Sequence, residues 1–386
     1  MTWILGFYVL LVLYLVYILW MTLGFIRFLK PEPPEKRPPN AKFSITIPMR
    51  DEAKNLPDLF NSISDLSYPT SLFEIIFVDD DSRDDSWKLV RAFQADHREI
   101  KIYLVSSQSD RNNEAGSEEK LSPKKNTIHK AISLSSYPYI LTTDADVSLP
   151  EHWLESYNTS LHNSVADLVA GGVVIEKSTS FLSRYQHYDM LSLQAFGLGS
   201  FKGRQPVICN GANLCYKKQA YLDAEVNLGT AHIASGDDVF TLQGFRKKGL
   251  EINYISDPES VVWTKPLESF GELWQQRRRW ARKISSVDSG YIKAVGILVT
   301  LMQLTLVLSL ILGFWNPEFF VFLVTGFVLK FMVDGFSLSS MAKVQELYFC
   351  WTDFLKVSLV YPFFTLFFSL TSLFGKFEWK GRRYSK

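Results

Sequence analysis

FEIIFVDDDS, residues 73–82, decides how the chain is read. A short run rich in isoleucine, phenylalanine and valine stops abruptly on Asp79, Asp80 and Asp81, followed by Ser82. An apolar run of that length, closed by turn-forming residues, reads as a buried strand. Three adjacent carboxylates are costly to hold together unless solvent or a cation compensates. The strand end is therefore also a candidate site, with a plain acidic turn as the alternative.

The same pattern recurs outward from it. FSITIP (43–48), KIYLVSS (101–107), YILTTD (139–144) and LVAGGVVIE (168–176) read as further strands. Between them NLPDLFNSISDL and SWKLVRAFQADH carry apolar residues three and four apart, the spacing of amphipathic helices. Alternating strands and helices predict one α/β domain over 42–286, with a mostly parallel sheet whose ligands bind at the carboxyl ends of the strands. The polar stretch 107–125 reads as a loop, either ordering around a ligand or simply solvated.

Both ends of the chain are of another kind. Residues 3–29 carry no charge before Arg27 and exceed the roughly 20 residues a spanning helix needs, so 1–30 forms an N-terminal transmembrane helix. Arg27, Lys30, Lys36, Arg37 and Lys42 follow it, which puts the central domain in the cytoplasm. A C-terminal transmembrane region over 293–376 contains apolar segments at 294–315, 317–340 and 349–375, the second interrupted by Lys330 and Asp334. Three spans there would leave the basic tail KFEWKGRRYSK outside, against the same charge rule. A re-entrant or interfacial segment, around 342–356 or in a helix broken at Pro362, would restore a cytoplasmic tail. The chain is thus expected to be a multi-pass protein of the cell inner membrane.

Composition excludes other classes. With 41 Lys+Arg against 40 Asp+Glu in 386 residues, the net charge of +1 argues against a nucleic-acid partner. Cys209, Cys215 and Cys350 form neither a paired framework nor a zinc spacing, and read as small buried residues in a reducing compartment. The six histidines, His97, His129, His152, His162, His187 and His232, have no close metal-ligand spacing. Asn158-Thr159-Ser160 matches a glycosylation sequon that a cytoplasmic location silences.

Three further clusters can carry chemistry. Asp144-Ala145-Asp146 ends the strand at 139–144, and two carboxylates so spaced suit a hard divalent cation such as Mg²⁺ or Mn²⁺. Asp237-Asp238 precedes an apolar helical run; a carboxylate there is a general base or a helix N-cap. Gln275 to Lys283 lies just before the C-terminal spans, where Arg277, Arg278, Arg282 and Lys283 read as interfacial anchors. Asn210-Gly211-Ala212-Asn213 reads as a simple turn, with an acceptor-side role as the alternative.

In this order, across one α/β domain tethered by membrane helices, the clusters resemble the membrane-bound family 2 glycosyltransferases. That pattern combines early aspartates, Asp-x-Asp, a later acid motif and Gln-x-x-Arg-Trp, met here by Gln276, Arg279 and Trp280. The resemblance implies a GT-A fold over roughly 42–285 and an inverting transfer from a nucleotide-sugar donor, a UDP-sugar favoured, to a lipid or membrane-associated glycan acceptor among the membrane lipids. It gives Pro48, Arg50 and Glu52 to nucleotide contacts, Asp79 and Asp80 to base and ribose, and Lys124 and Lys125 to the diphosphate. Asp144 and Asp146 would hold Mn²⁺ or Mg²⁺, and Asp238, preceded by Asp237, would be the base. Asp81 stands where the family often has glycine. Arg279 would balance the leaving phosphate. The competing readings are a processive polysaccharide synthase and, in another class, a non-catalytic membrane scaffold. A glycoside hydrolase would also use two carboxylates but has little need of the cation site.

Overall fold

The computed structural model describes residues 2–26, 37–107, 123–201, 206–224, 237–285, 289–372, 377–379 and 382–384. Along the chain run α1 (Thr2–Phe25), β1 (Phe43–Met49), α2 (Leu56–Ser64), β2 (Phe73–Asp79), α3 (Ser86–Asp96), β3 (Lys101–Ser106), α4 (Pro123–Leu134), β4 (Tyr139–Thr142), β5 (Val147–Ser148), α5 (Trp153–Asn163), β6 (Leu168–Ala170), β7 (Val173–Ile175) and α6 (Phe181–Ser200). There follow β8 (Leu214–Lys217), α7 (Lys218–Asp223), α8 (Asp237–Lys247), β9 (Ile252–Tyr254), β10 (Val262–Thr264), α9 (Phe270–Ser285), α10 (Gly290–Leu312), α11 (Glu318–Val344), α12 (Trp351–Ser372), β11 (Phe377–Trp379) and β12 (Arg382–Tyr384).

Two compact units divide the chain, one of residues 31–174 with 203–265, the other of 1–30, 175–202 and 266–386. Within the expected 42–286 domain, α6 and α9 therefore cluster with the apolar helices.

The first unit is the α/β domain. Its seven-stranded sheet has the order β3-β2-β1-β4-β8-β6-β9. Four pairings are parallel, and only β8 runs against its neighbours β4 and β6. β2 is buried along its whole length, as a strand covered on both faces must be. Ile45, Ile47, Ile75 and Phe77 enter the main core with Leu59 and Ile63 of α2 and Val90 and Phe93 of α3. Ile76 and Val78 turn to the other face against Ala131 of α4. Pro48 lies in β1 although that strand is central, because pairing with β4 ends at Thr46–Thr142. Beyond that point β1 is an edge on one side, where the missing N–H costs nothing.

LVAGGVVIE does not form one strand. It breaks at Gly171-Gly172 into β6 of the large sheet and β7 of a small sheet ordered β5-β10-β7. Glycine is required at the break: a Cβ at Gly171 would lie 2.4 Å from the Asn213 amide and 2.7 Å from the Tyr157 hydroxyl. Asn213 is wholly buried. Its Oδ1 accepts from Trp153 Nε1 at 2.9 Å and Tyr157 OH at 2.8 Å, while Nδ2 donates to the carbonyls of Gly172 and Ser260 at 2.7 and 2.8 Å. The Asn158 sequon is structural too: its Oδ1 accepts from the N–H of Asn40 and Ala41, and its Nδ2 donates to the carbonyls of Arg37 and Pro38. That side chain is fully buried.

Among the described residues the second unit holds four helices long and apolar enough to cross a membrane, α1, α10, α11 and α12. Phe7, Leu11, Tyr14, Met302 and Leu306 form a core joining α1 and α10. The second C-terminal segment, interrupted in sequence by two charges, is one 27-residue helix. Lys330 and Asp334 sit one turn apart and pair at 2.5 Å, and Tyr14 OH donates to Asp334 at 2.9 Å. Paired in this way, the two charges are tolerated in an apolar helix. Nor does Pro362 break α12, which continues through it.

Replacing Asn213 with Leu strands two buried donors, Trp153 Nε1 and Tyr157 OH, and the Ser260 carbonyl at once, while the Gly172 carbonyl keeps the Val262 N–H at 3.0 Å. At about 1–3 kcal/mol for each group left unsatisfied, the expected loss is at least roughly 3 kcal/mol, read as a lowered unfolding midpoint in detergent. A midpoint like that of the parent would contradict this role.

Candidate functional site

Parallel pairing carries β1, β2 and β3 to a common end, where Met49 faces Asp79 and Asp79 faces Ser106. The Asp80 N–H donates to Met49 O at 2.9 Å, and the Ser107 N–H to Asp79 O at 2.9 Å. The loop after β1 is laced to the loop after β2: the Asp51 N–H donates to Ser82 Oγ, the Glu52 N–H to Ser86 Oγ, and the Arg83 N–H to Asp51 Oδ1, at 3.0, 2.8 and 2.7 Å. Asp51 and Asp81 both have positive φ, 51° and 65°. Asp81 thus adopts the left-handed conformation that glycine takes freely, and aspartate is among the side chains that tolerate it.

Arg50 holds the acids together. It is 4% exposed; its Nη1 donates to the Asp80 carbonyl and lies 4.0 Å from carboxylate oxygens of both Asp80 and Asp81. Asp79, Asp80 and Glu52 are buried as well. Asp79 Oδ2 accepts from the Ser82 N–H at 3.2 Å, while Asp79 Oδ1 is buried without a hydrogen-bond partner. Burial pushes the Asp79 carboxyl above its usual range, the Ser82 hydrogen bonds oppose this, and the neighbouring Asp80 charge adds to it. A buried acceptor lacking a donor is an open position for a ligand N–H or O–H.

The Asp-x-Asp segment follows β4. Ala145 is 1% exposed and belongs to the core, whereas Asp144 is half-buried and Asp146 exposed. The residues before it are fixed by their hydroxyls: Thr142 Oγ1 donates to Gly211 O at 2.7 Å and Thr143 Oγ1 to Ala212 O at 2.9 Å. The same turn reaches the later acid, because the Gly211 N–H donates to Asp238 Oδ2 at 3.2 Å. Asp238 Oδ1 also accepts from the Val239 N–H at 2.8 Å. Gly211 therefore ties the approach to Asp144 and Asp146 to Asp238, and Asn210–Asn213 is more than the simple turn its sequence suggests. Among the described residues no group of three or more His, Cys, Asp and Glu gathers that could hold a metal. A cation would rest on the Asp144–Asp146 pair, whose oxygens are the hard donors that Mg²⁺ and Mn²⁺ take alongside substrate phosphates.

In the other unit, Gln276, Arg279 and Trp280 share α9 and are all half-buried. Gln276 Oε1 is buried without a hydrogen-bond partner. Arg277 and Arg278 are not the exposed anchors expected: they are 9% and 6% exposed. The Arg277 guanidinium pairs with Asp189 of α6 at 2.5 Å and stacks 4.3 Å from the Trp280 ring centroid. Sequence reading missed Asp189; the available signal was a lone acid in the otherwise mostly uncharged YQHYDML. His187 is buried, bonded through Nδ1 to Ile175 O at 2.7 Å, and pushed down by burial to about 4. The Lys124, Lys125, Asp237, Arg282 and Lys283 side chains and most of the 107–125 loop lie outside the described residues.

The profile of glycosyl transferase family 21 matches residues 6–385. Glycosyltransferase AglE of Haloferax volcanii is 25% identical over 238 residues, 61% of this chain and 70% of that protein. The poly-beta-1,6-N-acetyl-D-glucosamine synthase of Staphylococcus epidermidis is 24% identical over 251 residues, 62% of this chain; the chain spans about half of that synthase, 53%. Mannosyltransferase PcManGT from Pyrobaculum calidifontis, solved in complex with GDP-Man and Mn²⁺, superposes with a TM-score of 0.54 at 14% identity, covering 96% of both chains. That likeness is one of fold and agrees with the GT-A arrangement of the sheet. The family profile covers nearly the whole sequence, over both the strand-end acids and the apolar helices, and the chain belongs to glycosyl transferase family 21, of the family 2 type, and is a glycosyltransferase.

Proposed function

We propose an inverting transfer of a sugar from a nucleoside-diphosphate donor, a UDP-sugar favoured, to a lipid or membrane-associated glycan acceptor, by a catalytic domain on the cytoplasmic side of the cell inner membrane. The observation that carries this reading is the Gly211 link, which joins the Asp144-x-Asp146 approach and Asp238 through one residue. A donor-side acid pair and an acceptor-side base are the two halves that a single displacement needs.

On the donor side, Asp79 and Asp80 would hold base and ribose beside Pro48, Arg50 and Glu52; the unpartnered Asp79 oxygen supports this. Lys124 and Lys125 would approach the diphosphate. Asp144 and Asp146 would hold Mg²⁺ or Mn²⁺, and a cation bound there would supply positive charge against that building on the departing diphosphate. The acceptor hydroxyl oxygen bonds to the anomeric carbon as the bond from that carbon to phosphate oxygen breaks. The electron pair leaves with the diphosphate, and the hydroxyl proton passes to Asp238, with Asp237 the neighbouring candidate for the base. Attack opposite the leaving group inverts the configuration. Gln276, Arg279 and Trp280 would lie beside donor and acceptor, with Arg279 balancing the leaving phosphate.

Nucleotide release from detergent-purified protein, across UDP- and GDP-sugars with Mg²⁺ or Mn²⁺ and lipid extract as acceptor, tests the whole reading. Asp238→Asn is expected to lower turnover by about 10²–10⁴-fold, and the Asp144→Asn, Asp146→Asn double variant to remove its metal dependence. Turnover unchanged in Asp238→Asn would overturn the base assignment, and a ladder of lengthening glycan would favour the processive synthase.

Asp79 makes a separate prediction. Its folded-state pKa is raised, so its contribution to stability is present at low pH and is lost as pH rises through that raised value. At neutral pH the ionised group weakens the fold, and Asp79→Asn should raise the unfolding midpoint while weakening nucleotide binding. A variant that binds nucleotide as well as the parent would contradict the donor role.

A further inference from the structure

We infer that Asp189 is a positioning residue for the transfer: through Arg277 it sets the rotation of α9, and so the orientation of Trp280 and of Gln276 and Arg279 beside it. This rests on the part in the reaction given above to Gln276, Arg279 and Trp280. Every contact it uses lies within the helical unit.

Arg277 is 9% exposed, and its Nε is buried without a hydrogen-bond partner. A guanidinium so far out of water needs a carboxylate. Asp189, itself 8% exposed, supplies one from α6, its Oδ2 lying 2.5 Å from Arg277 Nη2. The carboxylate is not free to follow the arginine, because its Oδ1 accepts from Tyr361 OH of α12 at 3.3 Å. One oxygen is thus held by a neutral donor while the other carries the ion pair.

The pair acts on α9 through the shape of the guanidinium. That group is planar, so fixing its edge on a carboxylate also fixes the plane that an aromatic ring can stack on. Arg277 and Trp280 stand three residues apart on one helix face, with the guanidinium carbon 4.3 Å from the Trp280 ring centroid. Gln276, Arg279 and Trp280 belong to the same continuous helix. A roll of α9 that drew Arg277 away from Asp189 would therefore turn all three.

α6 holds α9 at a second point as well. Gln186, one turn before Asp189 and 1% exposed, accepts from the Leu267 N–H through Oε1 and donates to the Leu267 carbonyl through Nε2, both at 3.0 Å. Leu267 lies three residues before α9 begins at Phe270. The amide clamp fixes where the helix starts, and the ion pair fixes how it is turned about its axis. Were the pair needed only to neutralise a buried charge, removing both charges together would restore activity along with stability. A positioning role predicts that the two part.

The test is Asp189→Leu combined with Arg277→Met, which replaces the buried pair by apolar side chains, a change that commonly leaves stability equal or higher. Nucleotide release is measured on the full chain in detergent, with the nucleotide-sugar and lipid extract that the parent turns over. The unfolding midpoint is expected near that of the parent, while kcat and kcat/KM fall together by about 10²-fold. Recovery of both midpoint and kcat overturns the proposal. If the double variant misfolds, Arg277→Lys decides, since it keeps a charge for Asp189 but loses the planar group; a parent-like kcat there overturns it. Arg279→Ala and Trp280→Ala separate this inference from the reading beneath it. Parent-like turnover in those variants removes the motif from the transfer and the inference with it, whereas loss in them beside full activity in the double variant removes the role of Asp189 alone. A readout that needs no donor is the 5-fluorotryptophan resonance of Trp280, identified by its absence in Trp280→Phe. It is expected to shift and broaden in Asp189→Asn, and an unmoved resonance overturns the proposal.

Discussion

One buried amide fixes the geometry on which the site depends. Asn213 uses both protons of Nδ2 and both acceptor directions of Oδ1, each on a buried partner. Four satisfied bonds on a wholly buried side chain favour a single orientation, because rotation strands a group at about 1–3 kcal/mol. The turn that Asn213 ends is thereby held against α5, Gly172 and Ser260. Two residues earlier in that turn, Gly211 receives the Thr142 hydroxyl and donates to Asp238. Position is passed from a fully saturated side chain to the two acidic segments, and neither acid has to orient itself.

The nucleotide end is built on the opposite principle. Arg50, Asp79, Asp80 and Glu52 are buried together, with a positive φ at Asp51 and Asp81 and one orphaned carboxylate oxygen. Buried acids about a single guanidinium destabilise the fold unless their lone pairs are met, and Asp79 is met only in part. Strain and unmet polarity of this sort persist where the rest of the domain over-determines them. The parallel register of β1, β2 and β3, with both faces packed, supplies that constraint.

How far the sequence alone carries can be seen in particular residues. Strand ends were legible because burial on two faces forces continuous apolar runs, and the acids that close them stand out by contrast. The division of LVAGGVVIE between two sheets was not, since it is set by pairing with strands distant in sequence, β8 and β9 for one half and β10 for the other. The antiparallel β8 was hidden for a related reason: LCYK is too short to show a period, and direction is set by its pairing with β4 and β6. The structural roles of Asn158 and of the Asn210–Asn213 turn were hidden alike. Asparagine reads as a surface residue until its partners, main-chain groups that no pattern marks, are brought to it by the fold.

The basic segment before the last helices failed for a reason of charge. A run of arginines beside apolar sequence is ordinarily solvated, and nothing local marks Arg277 for burial. Its counter-charge, Asp189, stands 88 positions earlier on α6, and its stacking partner Trp280 only three later on its own helix. Removing Asp189 would leave a guanidinium out of water with no carboxylate, which is far costlier than never having buried the pair. Lys330 and Asp334 solve the same problem inside α11 with a one-turn spacing visible in the sequence. In both places the unit admits charge into an apolar setting only as a neutral pair supported by aromatic rings. For Arg277 one of those rings belongs to Trp280, so the electrostatic requirement and the orientation of the motif tryptophan are met by the same contact.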